Sequence, residues 1–311
     1  MPKPAESAAG NIYDLGYRNY EGVRLGRRYA VLSLYIQSLR GIFGFGRHTS
    51  SKIIPIGLTI IALLPAVIQL GVTAIAPDAI EPSGMFQPSD YYEFIQWPLA
   101  LFVAAVGPEL LGRDQRNRTL SLYFSRALLR SDYVLAKLAA LTSALIIISL
   151  VPQLLVFAGN ALGGSDSLQY VRDNWRDIAP IVGSGLLLSL FMSSIALAIA
   201  SQTSRWQLAS GGVIAYFGIT FALGAILVSS FPNGPAGYSL LFSGFHVARA
   251  ITLWLFGITP MLSFDQDGEG GGLTTDLVNA DVSLFLYAIA AGVTIAITLV
   301  ITYLRYRRLS V

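Results

Sequence analysis

The chain contains no cysteine and only two histidines among its 311 residues. A disulfide framework, a thiolate metal centre and a cysteine nucleophile are therefore excluded. Charge is also scarce: 13% of residues are charged and 54% apolar, whereas soluble domains carry about 25% charge. No G-x-x-x-x-G-K-[ST] segment occurs, so the chain has no P-loop with which to hold nucleotide phosphates. Neither H-E-x-x-H nor G-x-S-x-G is present, so the sequence offers no zincin or nucleophile-elbow signature.

Most of what the chain does contain is six long apolar runs, over residues 53–76, 94–111, 134–159, 178–201, 208–231 and 282–304. Each is near the roughly 20 residues a helix needs to cross about 30 Å of hydrocarbon. Spans of this kind must be helices, because lipid offers backbone N–H and C=O groups no partner. The mean hydropathy of +0.59 agrees, and the expected fold class is an all-α polytopic membrane protein with six transmembrane helices. With the chain threaded through these six runs, eighteen of the 21 Lys and Arg fall on one side of the membrane and only Arg172, Arg176 and Arg249 on the other. The positive-inside rule then places both termini in the cytoplasm, with the protein multi-pass in the plasma or inner membrane. This distribution accounts for the net charge of +3 without nucleic acid as a partner. The polar opening residues lead us to expect no secretory leader, and Met1-Pro2 does not fit the myristoylation pattern.

Residues 1–52 read as a cytoplasmic arm. From Arg28 to Arg47, Ser33, Gln37, Arg40, Gly44 and Arg47 recur at spacings of three and four. Val31, Leu34, Tyr35, Leu39, Ile42 and Phe43 fill the complementary face. That period predicts an amphipathic helix lying in the membrane interface, in contact with lipid. A soluble helix packed on a partner domain would show the same pattern. Residues 53–311 form the six-span domain. Its longest outer connection, Pro232 to Asp281, holds an apolar stretch at 240–262 interrupted by His246, Arg249 and Pro260. We read that stretch as re-entrant or interfacial helices, because a seventh span would reverse the charge rule.

The connection between the second and third runs stands out chemically. Over 113–129 it combines Arg113, Asp114, Arg116, Arg118 and Arg126 with Leu120, Leu122, Tyr123, Phe124, Leu128 and Leu129. Solvated loops do not need so many large apolar groups, and a short helix presented to a partner's groove fits better. A basic loop held to anionic headgroups is the plainer alternative.

Asp114, Arg118-Thr119-Leu120, Ser125-Arg126 and Tyr133-Val134-Leu135-Ala136-Lys137 resemble a pattern in the permease subunits of ABC transporters of the type-2 exporter class. Tyr17-Arg18-Asn19-Tyr20-Glu21-Gly22, ahead of a basic amphipathic helix, is similar to the start of a subset of them. One departure stands out: Arg118 occupies the place where the family pattern has a small glycine. The resemblance implies that 113–129 is a coupling helix, with Arg113, Asp114, Arg116, Arg118, Thr119, Leu120, Tyr123, Phe124 and Arg126 engaging a cytoplasmic ATPase. It implies two copies of that ATPase, which bind the ATP and Mg, and a second permease chain, identical or related. It also implies export, and the apolar lining of the spans favours an amphiphilic or hydrophobic cargo. On this reading the chain is not an enzyme by itself and holds no cofactor.

Other candidate sites have less behind them. Glu109 is four residues before Arg113, a spacing suited to a structural ion pair along a helix. Asp265, Asp267, Glu269 and Asp276 mimic the ligand spacing of a calcium loop, but flanking helices are not evident in the sequence. Ser243 and His246 are separated by one helical turn, but nothing nearby in the sequence supplies the orienting acid of a triad. His48 and His246 are expected on opposite sides of the membrane, where they cannot share a metal. A non-energised carrier or channel, a membrane enzyme and a scaffold that recruits a cytoplasmic partner are the competing readings.

Overall fold

The computed structural model describes residues 25–46, 50–75, 88–125, 128–163, 167–231, 234–260 and 272–308. Regular structure among them is entirely helical. The helices are α1 (Gly26–Ile42), α2 (Ser50–Ile75), α3 (Pro88–Arg116), α4 (Leu120–Phe124), α5 (Arg130–Gly163), α6 (Ser167–Asn174), α7 (Ile178–Ser201), α8 (Trp206–Ser230), α9 (Gly244–Phe256), α10 (Leu273–Ala280) and α11 (Leu284–Arg308). Six of them are long and apolar enough to cross a membrane, and each covers all or all but one or two residues of one of the six runs read from the sequence. Prolines inside α2, α3 and α5 do not break them. Packed neighbouring helices can satisfy the backbone groups that proline frees.

Burial separates the spans into a centre and a rim. The membrane-length windows of α3 and α7 are 72% buried, those of α8 and α11 only 22% and 17%. The two central helices pack on each other, α5 closes against α7, and α11 lies along α7 and α9. Tyrosine hydroxyls tie the centre together: Tyr92 Oη donates to the Ile181 carbonyl at 2.6 Å, and Tyr91 Oη to that of Ala62. Gln96, about a third of the way along α3, is wholly buried, with neither amide atom bonded among the described residues.

The segments at the two ends of the bundle depart from the sequence reading in detail. The inner connection is not one helix over 113–129. Instead α3 runs on to Arg116, Arg118 turns in the left-handed region at φ 52°, and the five-residue α4 follows. The stretch read as 240–262 is a 3-10 helix, Pro235–Phe242, joined to α9 at a 95° bend. Gly244 makes that corner possible, since a Cβ there would lie 2.6 Å from the Phe217 ring. Gly257 ends α9 at φ 66°, accepting the left-handed turn that a β-carbon resists. Residues 1–24, which hold the Tyr17–Gly22 motif, lie outside the described residues, as do His48 and Arg126.

Helix α1 runs alongside the first half of α5. Arg27 forms a bidentate pair with Asp132 at 2.7 Å, and Tyr35 Oη lies 3.0 Å from Ser143 Oγ. The helix buries Leu34, Ser38 and Ile42 and leaves Tyr29, Leu32 and Ile36 exposed. Its outward face is therefore more apolar than the spacing of Ser33, Gln37 and Arg40 suggests.

Candidate functional site

The residues singled out between the second and third spans converge at the α4 end of the bundle. Their positions begin with the Arg118 turn. Thr119 donates both its N–H (3.1 Å) and its hydroxyl (3.2 Å) to the Asp114 carbonyl, closing the last turn of α3 back on itself. That closure sets α4 across the open end of the helices. Leu120 turns inward at 8% exposure, while Leu122, at 65%, points away. Tyr123 and Phe124 pack on Tyr133, with ring centroids 6.0 and 5.9 Å away.

Beneath α4 lies a buried ion pair. Lys137 Nζ sits 2.8 Å from Asp114 Oδ2, and Tyr133 Oη donates to the same oxygen at 2.8 Å. Both charged side chains are close to nine-tenths buried or better. Lys137 also stands over the Tyr133 ring at 5.4 Å. From α11, Tyr306 packs on Tyr133 at 5.1 Å and receives a hydrogen bond from Gln115 at 3.0 Å. Arg130 reaches the Arg307 carbonyl and lies over Phe124. The result is one polar and aromatic knot joining α3, α4, α5 and α11. Burial first, and then the Asp114 charge, push the Tyr123 phenol above its usual range.

The knot redistributes the roles expected from the sequence. Asp114, Leu120, Tyr123 and Phe124 face this chain itself. The surface open to a partner carries Arg113, Arg116, Asn117 and Arg118 with Leu122 and Leu129, all exposed. Glu109 and Arg113 stand one turn apart on α3 and line one cleft. Lys137 was noted in the sequence only as part of a motif; its pairing with Asp114, 23 residues away, has no local signal.

A second polar cluster occupies the opposite end. Arg249 of α9 donates to the Ser89 carbonyl (2.7 Å), Asp90 (3.0 Å) and Thr274 (3.0 Å), and pairs with Glu93 at 2.8 Å. His246 lies between Ser243 Oγ (2.7 Å) and Asp276 Oδ2 (3.0 Å), with Phe221 stacked on its ring at 5.4 Å. Asp276 therefore supplies the acid that the sequence reading found missing beside Ser243 and His246. Ser243 and His246 are nonetheless wholly buried, and this chain of bonds pins α9 to α10 instead of presenting a nucleophile. Asp276 itself lies in helix α10 with its carboxylate on His246, not in an open calcium loop; Asp265, Asp267 and Glu269 lie outside the described residues. Among the described residues no group of three His, Asp or Glu is placed to hold a metal.

No protein-family model matches this chain, and no curated protein matches it either.

Proposed function

We propose that this chain is the membrane subunit of an ATP-driven transporter of the type-2 ABC exporter class, with both termini cytoplasmic. It moves an amphiphilic or hydrophobic cargo outward, and two copies of a separate ATPase bind the ATP and Mg. A second permease chain, identical or related, completes the transport unit. One observation carries this reading. A short helix lies across the ends of the spans, the exposed surface around it combines Arg113, Arg116 and Arg118 with Leu122 and Leu129, and its inner side is braced on a buried knot that three spanning helices share. A partner that pushes α4 pushes those spans with it. A loop that merely rested on headgroups would need no such brace.

The test is co-expression with the ABC ATPase encoded in the nearest genomic position, followed by co-purification and an ATP hydrolysis assay. Leu122→Ala with Leu129→Ala removes exposed apolar anchors of the kind that cost about 2 kcal/mol or more at an interface. The double variant should insert normally and lose ATPase association about 30-fold. Arg116→Gln alone should cost about 1 kcal/mol or less, because exposed charges contribute little. Full association by the leucine double variant would remove α4 as the docking element and leave the scaffold reading in its place.

A further inference from the structure

Two adjoining cavities open at the α4 end. The larger, about 460 Å³, lies between α1, the last turns of α3, Thr119 and Tyr123. Arg40 and Arg113 stand exposed at its edge, Lys137 and Asp114 close its base, and Glu109 lies in its wall. Among the described lining residues, Arg40 and Arg113 present their guanidinium groups at the open side. The Ser38 hydroxyl also belongs to this wall, is buried, and has no hydrogen-bond partner among the described residues. A buried hydroxyl without a partner costs free energy, which a bound acceptor would recover. The smaller cavity, about 100 Å³, shares Gly41, Glu109 and Leu110 with the first and, Ser51 apart, is otherwise lined by apolar or aromatic residues that include Ile54, Pro55, Val106 and Trp206.

We infer that the paired cavities bind a glycerophospholipid from the leaflet at the α4 end. Its phosphodiester lies between Arg40 and Arg113 and accepts the Ser38 hydroxyl, and one acyl chain starts past Leu110 into the apolar cavity. Arginine suits this role because its fork of donors matches phosphate oxygens. The apolar second chamber separates a lipid from free phosphate, which has nothing to place there. This site needs no ATPase, so its failure would leave the α4 docking test untouched.

The full chain, purified in detergent, is titrated with dioleoyl phosphatidylglycerol and bound lipid is counted by native mass spectrometry. Replacing Arg40→Gln with Arg113→Gln should weaken binding of the first lipid at least about tenfold. Replacing Arg172→Gln with Arg176→Gln, at the far end of the bundle, should not. Glycerol phosphate, oleate and dioleoylglycerol should each compete poorly. Equal binding by the Arg40 and Arg113 variant would overturn the site. Tight competition by glycerol phosphate would reduce it to a phosphate site, by oleate to a carboxylate site, and by dioleoylglycerol to an apolar groove, each against the proposal. The unaltered protein gives an independent reading. Phosphatidylglycerol brominated near the start of its acyl chains should quench its fluorescence more than that of Trp206→Phe, and equal quenching would place the chain elsewhere.

Discussion

Lys137→Met isolates the energetics of the buried pair. At 2.8 Å and an effective dielectric near 20, the Asp114–Lys137 attraction is roughly 6 kcal/mol before desolvation is charged against it. Most of that gross value offsets the cost of taking two ions out of water, so the pair adds little net stability over a neutral substitute. Removing only the lysine leaves the Asp114 charge buried, with Tyr133 Oη still donating to its Oδ2. Such truncations cost about 3–5 kcal/mol. Adding Asp114→Asn to Lys137→Met should recover much of the loss, because the amide carries no charge and its carbonyl oxygen still accepts from Tyr133. The double variant should therefore be more stable than Lys137→Met by about 2 kcal/mol. Denaturant unfolding in mixed micelles, followed by far-ultraviolet circular dichroism, measures Lys137→Met, Asp114→Asn alone and the double variant. If the double variant lost as much as the two single losses added together, Asp114 would not be a charge held in place by Lys137, and the brace beneath α4 would rest on the aromatic contacts alone.

Three further outcomes follow from particular residues. Arg118→Gly should stabilise the chain by about 1 kcal/mol in the same unfolding assay, since a β-carbon is disfavoured at φ 52°. Unchanged or lower stability would mean that the arginine side chain offsets the strain. Arg249→Gln should loosen α9 by about 2 kcal/mol, because bonds from a charged donor are lost while Asp90 and Glu93 are exposed enough to hydrate. Hydrogen exchange should then accelerate in α9 and α10 and leave α4 unaffected. Single cysteines can be introduced against a cysteine-free background: an impermeant thiol reagent added to intact cells should label Leu168→Cys, an 82% exposed position on α6, and not Asn117→Cys. Labelling of Asn117→Cys from outside would reverse the orientation.

The six spans were legible because hydrocarbon enforces a long uninterrupted apolar run, a signal that no tertiary contact can overwrite. Where the helices end was less so. Helix α3 continues through Gly112–Arg116 and α5 begins at Arg130, because polar side chains at those turns find partners within the fold instead of marking a loop. The left-handed turn was visible only indirectly: Arg118 occupies the position where the resembled pattern carries glycine, which is the residue such a backbone favours. The two polar clusters were not legible. His246 and Asp276 are 30 residues apart and Arg249 and Asp90 are 159 apart, so each pair exists only through the fold. Leu120 and Tyr123 read as partner anchors because composition reports apolar character without direction. Folding α4 over Tyr133 decided which leucine faces out.

Helix α3 carries an anchor at each end, Asp90 and Glu93 toward Arg249 and Asp114 toward Lys137. Its 29 residues span roughly 43 Å at about 1.5 Å per residue. Such a rod acts as a lever: tilting it by about 5° about one end displaces the other by roughly 4 Å, about two-thirds of the rise of one helical turn. The bent pair at the α9 end and the short helix at the α4 end are therefore mechanically the two handles of one bar. A displacement imposed on either handle reaches the other without any intervening chain of side-chain rearrangements.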